Sequence, residues 1–297
     1  MRVNPNFAPN ILNDVWQAQS AAQTAMEELS TGRRVNLPSD DPAAFAADIA
    51  NQAQQGQVDQ YLQNTTSLEG LFQTADSTLS SVVTSLNQAI SLGTQGANGT
   101  QSLQNQQALA QQVQAIQAQM VQLANTSYQG NYIFAGTATT TKPYVLDASQ
   151  PDGVTYNGNS GTNSVQIADG RSLQTNVPGS QIFQGTGGDV MQSLQQLVTA
   201  LNSGDTTAIG TATTAVSTAL SYVSQQRVFY GSAVQALTSN QSFLQQEEVN
   251  LQSQETSLVG ADMAQAATDL TQATTAHDAG LAALAKVIPT SLLDYLS

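Results

Sequence analysis

The longest regular pattern in the chain lies at residues 216–258, which read VSTALSY VSQQRVF YGSAVQA LTSNQSF LQQEEVN LQSQETS L. Each group of seven begins with a large apolar residue, so the apolar positions recur on a seven-residue step. Such a repeat keeps one side of an α-helix against a neighbouring helix over many turns. The stretch therefore predicts a helix about 60 Å long that buries a single stripe.

A second row of positions, four residues after each apolar one, indicates how that helix packs. The row begins with Leu220 but ends with Glu248 and Glu255. A two-stranded coiled coil needs apolar residues in both rows to be stable on its own. The pattern thus favours one member of a bundle that packs on other helices of the same chain, with a coiled-coil spacer as the alternative.

Further amphipathic runs supply the other walls of this bundle. An Ala-rich run at 43–60 predicts one helix, and runs at 61–92 and 102–127, on either side of a turn at 93–99, predict an antiparallel helical hairpin. The predicted core of the bundle consists of Leu68, Phe72, Leu79, Leu86, Leu109, Val113, Ile116, Met120, Leu123, Val216, Val223, Tyr230, Leu237, Leu244, Leu251 and Leu258.

Both ends of the chain predict helices with stripes of mostly small residues. Residues 11–29 and 262–296 carry these stripes in steps of three and four, and the second helix is expected to end near Pro289. Small residues bury little area, so we expect each helix to be ordered only against a partner, and the two to pair. The predicted stripes are Ile11, Val15, Ala18, Ala22, Ala25, Leu29, Met263, Leu270, His277, Leu281, Leu284 and Ile288.

Between residues 128 and 188 the helical pattern gives way to Gly, Asn and Thr with short β-type runs, the last two of which flank Asp169-Gly170. Because a single hairpin is rarely stable alone, a sheet of three or more strands is expected. The runs lie at 131–134, 153–156, 164–167 and 172–175.

The predicted fold is therefore mainly α. It is an elongated antiparallel helical bundle with a small β-rich insert, and its N- and C-terminal helices pair at one end. Three domains are expected: a terminal pair from 1–40 and 259–297, a helical rod from 41–135 and 189–258, and the insert at 136–188.

The composition excludes several classes of partner. Only 9% of the 297 residues are charged, and 21 acids against 7 bases give a net charge of −14. Binding to nucleic acid or to an anionic membrane needs clusters of basic residues, and the only adjacent pair is Arg33-Arg34. There is no cysteine for a disulfide or a thiolate metal site and no apolar run of about 20 residues, and the residues that follow Met1 do not predict a cleavable secretory signal.

The sequence predicts no catalytic, cofactor or metal site. His277 is the single histidine; only Thr274 shares its stripe and Asp278 points to another face, so a packing role is expected. Asp40 and Asp41 are adjacent and point apart, which favours a helix cap over a metal site. Neither a phosphate-binding loop nor a dinucleotide-binding motif occurs. An enzyme is therefore not expected.

Three segments resemble the bacterial flagellin superfamily: ELSTGRRVNLPSDDPAA at 28–44, LANTSYQGNYIFAGT at 123–137 and SLLDYL at 291–296. The proline pair and the tail are closer to proteins of the hook–filament junction than to flagellins. The resemblance covers about residues 1–135 and 215–297 well. Its signature loop comprises Leu29, Gly32, Arg33, Asn36, Pro38, Asp40, Asp41 and Pro42.

This resemblance implies a structural adapter, outside the cell, that joins hook to filament in the bacterial flagellum. Such a protein would be exported unfolded through the flagellar type III channel and would assemble through its terminal helices. The implied partners are the first junction protein (hook-associated protein 1), flagellin, further copies of the chain, and an export chaperone on the C-terminal stripe. The alternatives are a divergent flagellin that forms the filament and, more distantly, a secreted adhesin that uses the insert.

Overall fold

The structure, a computed structural model, describes residues 7–293 and the side chains of residues 9–286. The helices are α1 (Phe7–Thr31), α2 (Pro42–Gly96), α3 (Leu103–Ala124), α4 (Gly179–Phe183), α5 (Val190–Ser203), α6 (Thr206–Val259) and α7 (Met263–Leu293). The strands are β1 (Ser127–Tyr128), β2 (Asn131–Tyr132), β3 (Tyr144–Leu146), β4 (Val154–Tyr156), β5 (Ser164–Ala168), β6 (Arg171–Gln174), β7 (Gln184–Gly185) and β8 (Gly188–Asp189). The prediction of a mainly α chain with a small β-rich insert and paired terminal helices is confirmed.

The chain forms two compact units, which divide at Gln57/Val58 and at Gln246/Glu247. The first unit contains α1, α7, the beginning of α2 and the end of α6. The second contains the rest of α2 and α6, together with α3, α4, α5 and all strands. The three-domain division expected from the sequence stays a prediction.

In the second unit α2 and α6 run antiparallel around an aromatic centre. The rings of Phe72 and Tyr230 meet edge to face with centroids 5.7 Å apart. One turn away, the Arg227 guanidinium binds both carboxylate oxygens of Asp76, with Nε 2.7 Å from Oδ1. The charged residue in the middle of the repeat is thus neutralised by the facing helix, which explains how a bundle tolerates it.

The seven-residue row of α6 is buried from Val216 to Leu251, and Leu258 is half-buried. A second buried row lies three residues after Val216, Tyr230 and Leu237, and not four residues after them as the sequence analysis assumed. It contains Ala219, Ala233 and Asn240, whereas Leu220 is only half-buried. Small side chains let the helices approach closely, which a search for large apolar residues overlooks.

The insert is not one sheet. The described strands form four separate antiparallel hairpins, β1–β2, β3–β4, β5–β6 and β7–β8, of which β3–β4 and β5–β6 lie wholly within the insert. Helices supply the apolar cover that further strands would otherwise give. The ring of Phe134 packs on Phe183, and Tyr144 is fully buried between Tyr156 and Phe183. The β5–β6 hairpin turns at Asp169-Gly170, where Gly170 has a φ of 64°.

Two boundaries differ from the sequence analysis. The runs at 43–60 and 61–92 are one continuous helix, α2. Helix α7 also continues through Pro289 to Leu293 instead of ending there. Proline has a helical φ and removes one backbone hydrogen bond, so a helix can pass through it at a cost in stability.

Candidate assembly surface

The terminal helices α1 and α7 pack side by side in the first unit. On α1, Val15 and Ala25 are buried, and the rest of the predicted stripe (Ile11, Ala18, Ala22 and Leu29) is half-buried. An ideal Cβ at Gly280 of α7 would lie 2.5 Å from Cγ2 of Val15. The two helices therefore meet closely at this point because residue 280 has no side chain.

The stripe that α7 presents to α1 lies partly elsewhere than the sequence analysis placed it. Of its predicted residues, Leu284 is buried, Leu270 and His277 are half-buried, and Met263 and Leu281 are 47% and 46% exposed. The side chain of Ile288 lies outside the described residues. The contacting row is Ala266, Leu270, Ala273, His277, Gly280 and Leu284. The predicted stripe contains the largest residue of each turn, whereas the contacting row alternates large residues with the small residues Ala266, Ala273 and Gly280, which allow close approach.

The signature loop ends α1 and caps the beginning of α2. Gly32 ends α1 with a φ of 69°, a value that glycine adopts without strain. Asp41 Oδ1 accepts the backbone N–H of Ala44 at 3.0 Å and so caps α2, whose first residue is Pro42. Asp40 Oδ2 accepts the N–H groups of Leu37 and Asn36, at 2.8 and 3.0 Å. The loop conformation is thus fixed by its own carboxylates.

These hydrogen bonds also act on the charges of the two carboxylates. Bonds from Leu37 and Asn36 hold the pKa of Asp40 below its usual value. The bond from Ala44, with a smaller contribution from the nearby Arg34 guanidinium, lowers the pKa of Asp41. Both groups therefore stay ionised, and both are occupied by the loop itself, which leaves the pair unsuited to bind a metal.

The loop pairs with the break between α6 and α7. The Arg34 N–H donates to the carbonyl of Val259 at 2.7 Å, and the Ala261 N–H donates to the carbonyl of Gly32 at 3.0 Å. Arg33 and Gly260 form an antiparallel bridge between these two bonds. The loop between α1 and α2 and the break between α6 and α7 are therefore hydrogen-bonded directly to each other.

The side chain of Arg33 completes this junction. It forms an ion pair with Asp48, which is only 2% exposed, and its Nη1 lies 3.0 Å from Glu255 Oε1. Gln52 donates to Asp48 and Gln55 donates to Glu255, at 2.9 and 3.1 Å. One guanidinium thus links α2 and α6 beside the point where α1 and α7 begin to pair.

The remaining predicted residues are placed as follows. Of the predicted bundle core, Leu123 and Leu258 are half-buried and every other member is buried. Among the loop residues, Arg33 and Asn36 are half-buried and Pro38 is exposed. The Nδ1 atom of His277 lies 3.4 Å from Oδ1 of its neighbour Asp278.

Sequence reasoning missed several contributors to this surface. Val35, 1% exposed, anchors the loop, and Asp48 receives Arg33. On α7, Ala266, Ala273 and Gly280 recur on a seven-residue step, which was a usable signal because it matches the spacing of a helix seam.

Within residues 9–286 no three acidic, histidine or cysteine side chains come together in a way that could hold a metal ion. None of the helices, as far as they are described, is apolar over enough residues to cross a bilayer.

Comparison with known proteins places this arrangement in a family. The family model for the bacterial flagellin N-terminal helical region matches residues 4–139. The model for the bacterial flagellin C-terminal helical region matches residues 213–296, so the two matches flank the insert and α5. The chain belongs to the bacterial flagellin family.

Within this family the chain is similar to hook-associated proteins. Flagellar hook-associated protein 3 of Salmonella typhimurium is 32% identical over 173 residues, which make up 58% of this chain and 53% of that protein. The Escherichia coli protein of the same name is 33% identical over 158 residues, 53% of this chain and 48% of that one. The chain thus spans about half the length of the curated relatives it matches.

A solved structure has the same fold. The crystal structure of flagellar hook-associated protein 3 from Legionella pneumophila superposes with a TM-score of 0.64, covering 70% of this chain and 98% of that one. The two sequences are 14% identical, so this likeness concerns the fold alone.

Proposed function

We propose that this chain is a structural subunit of the bacterial flagellum that acts as an adapter at the hook–filament junction. The similarity to two proteins named flagellar hook-associated protein 3 supports the location. The terminal helix pair supports the mechanism, because it has apolar residues on its outer surface as well as in its seam. The role is structural and includes no catalytic step.

The outer surface of the terminal pair carries this proposal. Trp16 of α1 is 66% exposed, and Met26 and Leu12 are 58% and 48% exposed. On α7, Met263 and Leu281 are similarly exposed. Large apolar side chains on both helices of one pair are what a further helix of a neighbouring subunit would cover.

The proposed partners follow from this role. Hook-associated protein 1 would lie on the hook side and flagellin on the filament side, with further copies of the chain alongside. Before export, a flagellar chaperone would cover the C-terminal stripe, and the chain would pass unfolded through the type III channel. The terminal pair would then form the inner layer of the tube.

The runner-up is a divergent flagellin that builds the filament itself. Abundance separates the two, because a filament protein is the main component of sheared flagella whereas an adapter is a trace component. Loss of the adapter should also release flagellin into the medium instead of leaving it attached. An adhesin that uses the insert predicts that Val145→Gln with Leu146→Gln, at two exposed apolar positions of the insert, reduces attachment to surfaces while motility is retained. The adapter role predicts that both attachment and motility stay unchanged.

The test of the surface uses variants that keep the fold. Trp16→Gln combined with Leu281→Asp changes two exposed side chains, so we expect unchanged helicity and lost filament attachment. Phe243→Gln is the matched control, because Phe243 is 61% exposed on α6, outside the terminal pair. Normal motility of the double variant, or equal loss in the control, would contradict assembly through this surface.

A further inference from the structure

We propose that the turn between α2 and α3 is a self-modification site at which Asn98 converts to aspartate or isoaspartate by attack of the Gly99 backbone nitrogen. The turn contains Asn98, Gly99 and Thr100, all of them exposed. The proposal is independent of the proposed function and rests on the geometry of this turn.

The attacking nitrogen is accessible. The neighbouring amides are engaged, since Asn98 donates to the carbonyl of Gln95 at 3.3 Å and Gln101 donates to the carbonyl of Asn98 at 3.0 Å. Within the described part of the chain, the N–H of Gly99 has no acceptor. Gly99 also has no Cβ to hinder approach of the neighbouring side chain, and the space around it is open.

The attacked carbonyl is polarised. Asn98 Oδ1 accepts two hydrogen bonds from Thr100, one from the backbone N–H at 3.2 Å and one from Oγ1 at 3.0 Å. When nitrogen attacks Cγ, negative charge develops on this same oxygen. Two donors already directed at the atom that gains the charge stabilise the transition state more than the ground state.

The reaction balances with water as the only co-reactant. The Gly99 nitrogen loses its proton to a water or hydroxide as it bonds to Cγ of Asn98. The bond from Cγ to the carboxamide nitrogen then breaks, and that nitrogen takes a proton and leaves as ammonia. Water opens the resulting succinimide at either carbonyl and gives aspartate or isoaspartate, so water enters and ammonia leaves without any oxidation.

A second Asn-Gly pair in the chain, Asn157-Gly158, serves as an internal control. Asn157 donates its N–H to the carbonyl of Pro143 at 2.8 Å directly after β4. An ideal Cβ at Gly158 would lie 2.5 Å from ring atoms of Tyr156 and 2.8 Å from the carbonyl oxygen of Ala135. Among the described residues no donor is hydrogen-bonded to the Asn157 carboxamide. This pair has the same sequence and Asn157 is exposed too, but Gly158 is half-buried against Tyr156 and Ala135, and the Asn157 carboxamide is unpolarised.

The experiment follows both sites by peptide mass mapping during incubation of the full folded chain at mildly alkaline pH. Conversion raises the peptide mass by about one dalton and releases ammonia. We expect Asn98 to convert at least as fast in the folded chain as in guanidinium. Asn157 should convert about tenfold more slowly in the folded chain than in guanidinium, because packing must first open.

Two variants separate the causes. Gly99→Ala fits the open turn and should slow conversion at Asn98 by about tenfold or more, because the added Cβ hinders approach of the nitrogen to Cγ. Thr100→Val keeps the backbone donor but removes the hydroxyl, so conversion in the folded chain should slow about fivefold, the value of one hydrogen bond, with no change in guanidinium. An unmodified Asn98, equal rates at Asn98 and Asn157 in the folded chain, or an unchanged rate in Thr100→Val would overturn the proposal.

Discussion

Gly280→Ala tests whether the α1–α7 seam depends on a missing side chain. Alanine in a helix interior is more stabilising than glycine by about 0.5–1 kcal/mol. At Gly280, however, the new Cβ would lie 2.5 Å from Val15 Cγ2, well inside carbon–carbon contact distance. Overpacking of this kind costs about 1–3 kcal/mol, so the substitution should weaken the pair by up to about 2 kcal/mol in spite of its better helix propensity.

A double-mutant cycle isolates that contact. Val15→Ala removes Cγ2, so Gly280→Ala in that background should recover the gain of about 0.5–1 kcal/mol, which gives a coupling free energy of about 1–3 kcal/mol. Gly56→Ala is the matched control, because Gly56 lies inside α2 in the same unit and has no atom near its Cβ position.

The assay uses a probe that the chain already contains. Trp16, the only tryptophan, lies on the exposed face of α1, so its fluorescence anisotropy reports the loss of order in α1 that follows separation of the helix pair in urea. Hydrogen exchange of α1 amides gives the same free energy independently. If Gly280→Ala were as stabilising as Gly56→Ala, or if the cycle gave no coupling, close approach at this point would be refuted.

Three further outcomes are expected. Arg33→Gln leaves the buried Asp48 carboxylate without its guanidinium and should lower the free energy of urea unfolding by about 2–3 kcal/mol; the loss is smaller than for a fully buried pair because Arg33 is partly exposed. Arg34→Gln, which removes only an exposed ion pair, should lower it by less than about 1 kcal/mol. Leu284→Asp should separate α1 from α7, at a cost of at least about 3 kcal/mol, but Leu281→Asp should change hydrogen exchange of α1 by no more than about 0.5 kcal/mol. Desolvation raises the pKa of Asp189 above 3.8, so ionisation destabilises the fold above the raised pKa and not below 3.8. Asp189→Asn should therefore raise the melting temperature at neutral pH and lose that advantage in acid.

The stripes of large residues predicted the helices well. The repeat from Val216 to Leu251 identified the buried face of α6, because a large apolar residue every seven positions fits only a helix packed along its length. The caps at Gly32 and Asp41 are also predictable from sequence. A positive φ favours glycine, and a helix N-cap favours a short side chain that accepts a hydrogen bond.

Contacts made through small or polar residues were not predictable in the same way. Gly280 and Ala273 contribute because their small size lets α1 and α7 approach closely. A pattern of hydrophobicity does not detect this effect. The ion pair between Arg33 and Asp48 joins a loop to the next helix, so no periodicity relates the two residues. The four hairpins depend on helical cover from distant parts of the chain, which local β propensity does not encode.

The α1–α7 seam can form only after α7 has been synthesised, long after α1. Helix α7 begins 232 positions after α1 ends, so the seam has one of the longest sequence separations that this chain allows. During synthesis at about 5–20 residues per second, α1 waits roughly ten seconds to a minute for its partner. A truncated chain never closes the seam and keeps Val15 and Ala25 exposed. The contact therefore distinguishes a chain that already contains α7 from one that does not.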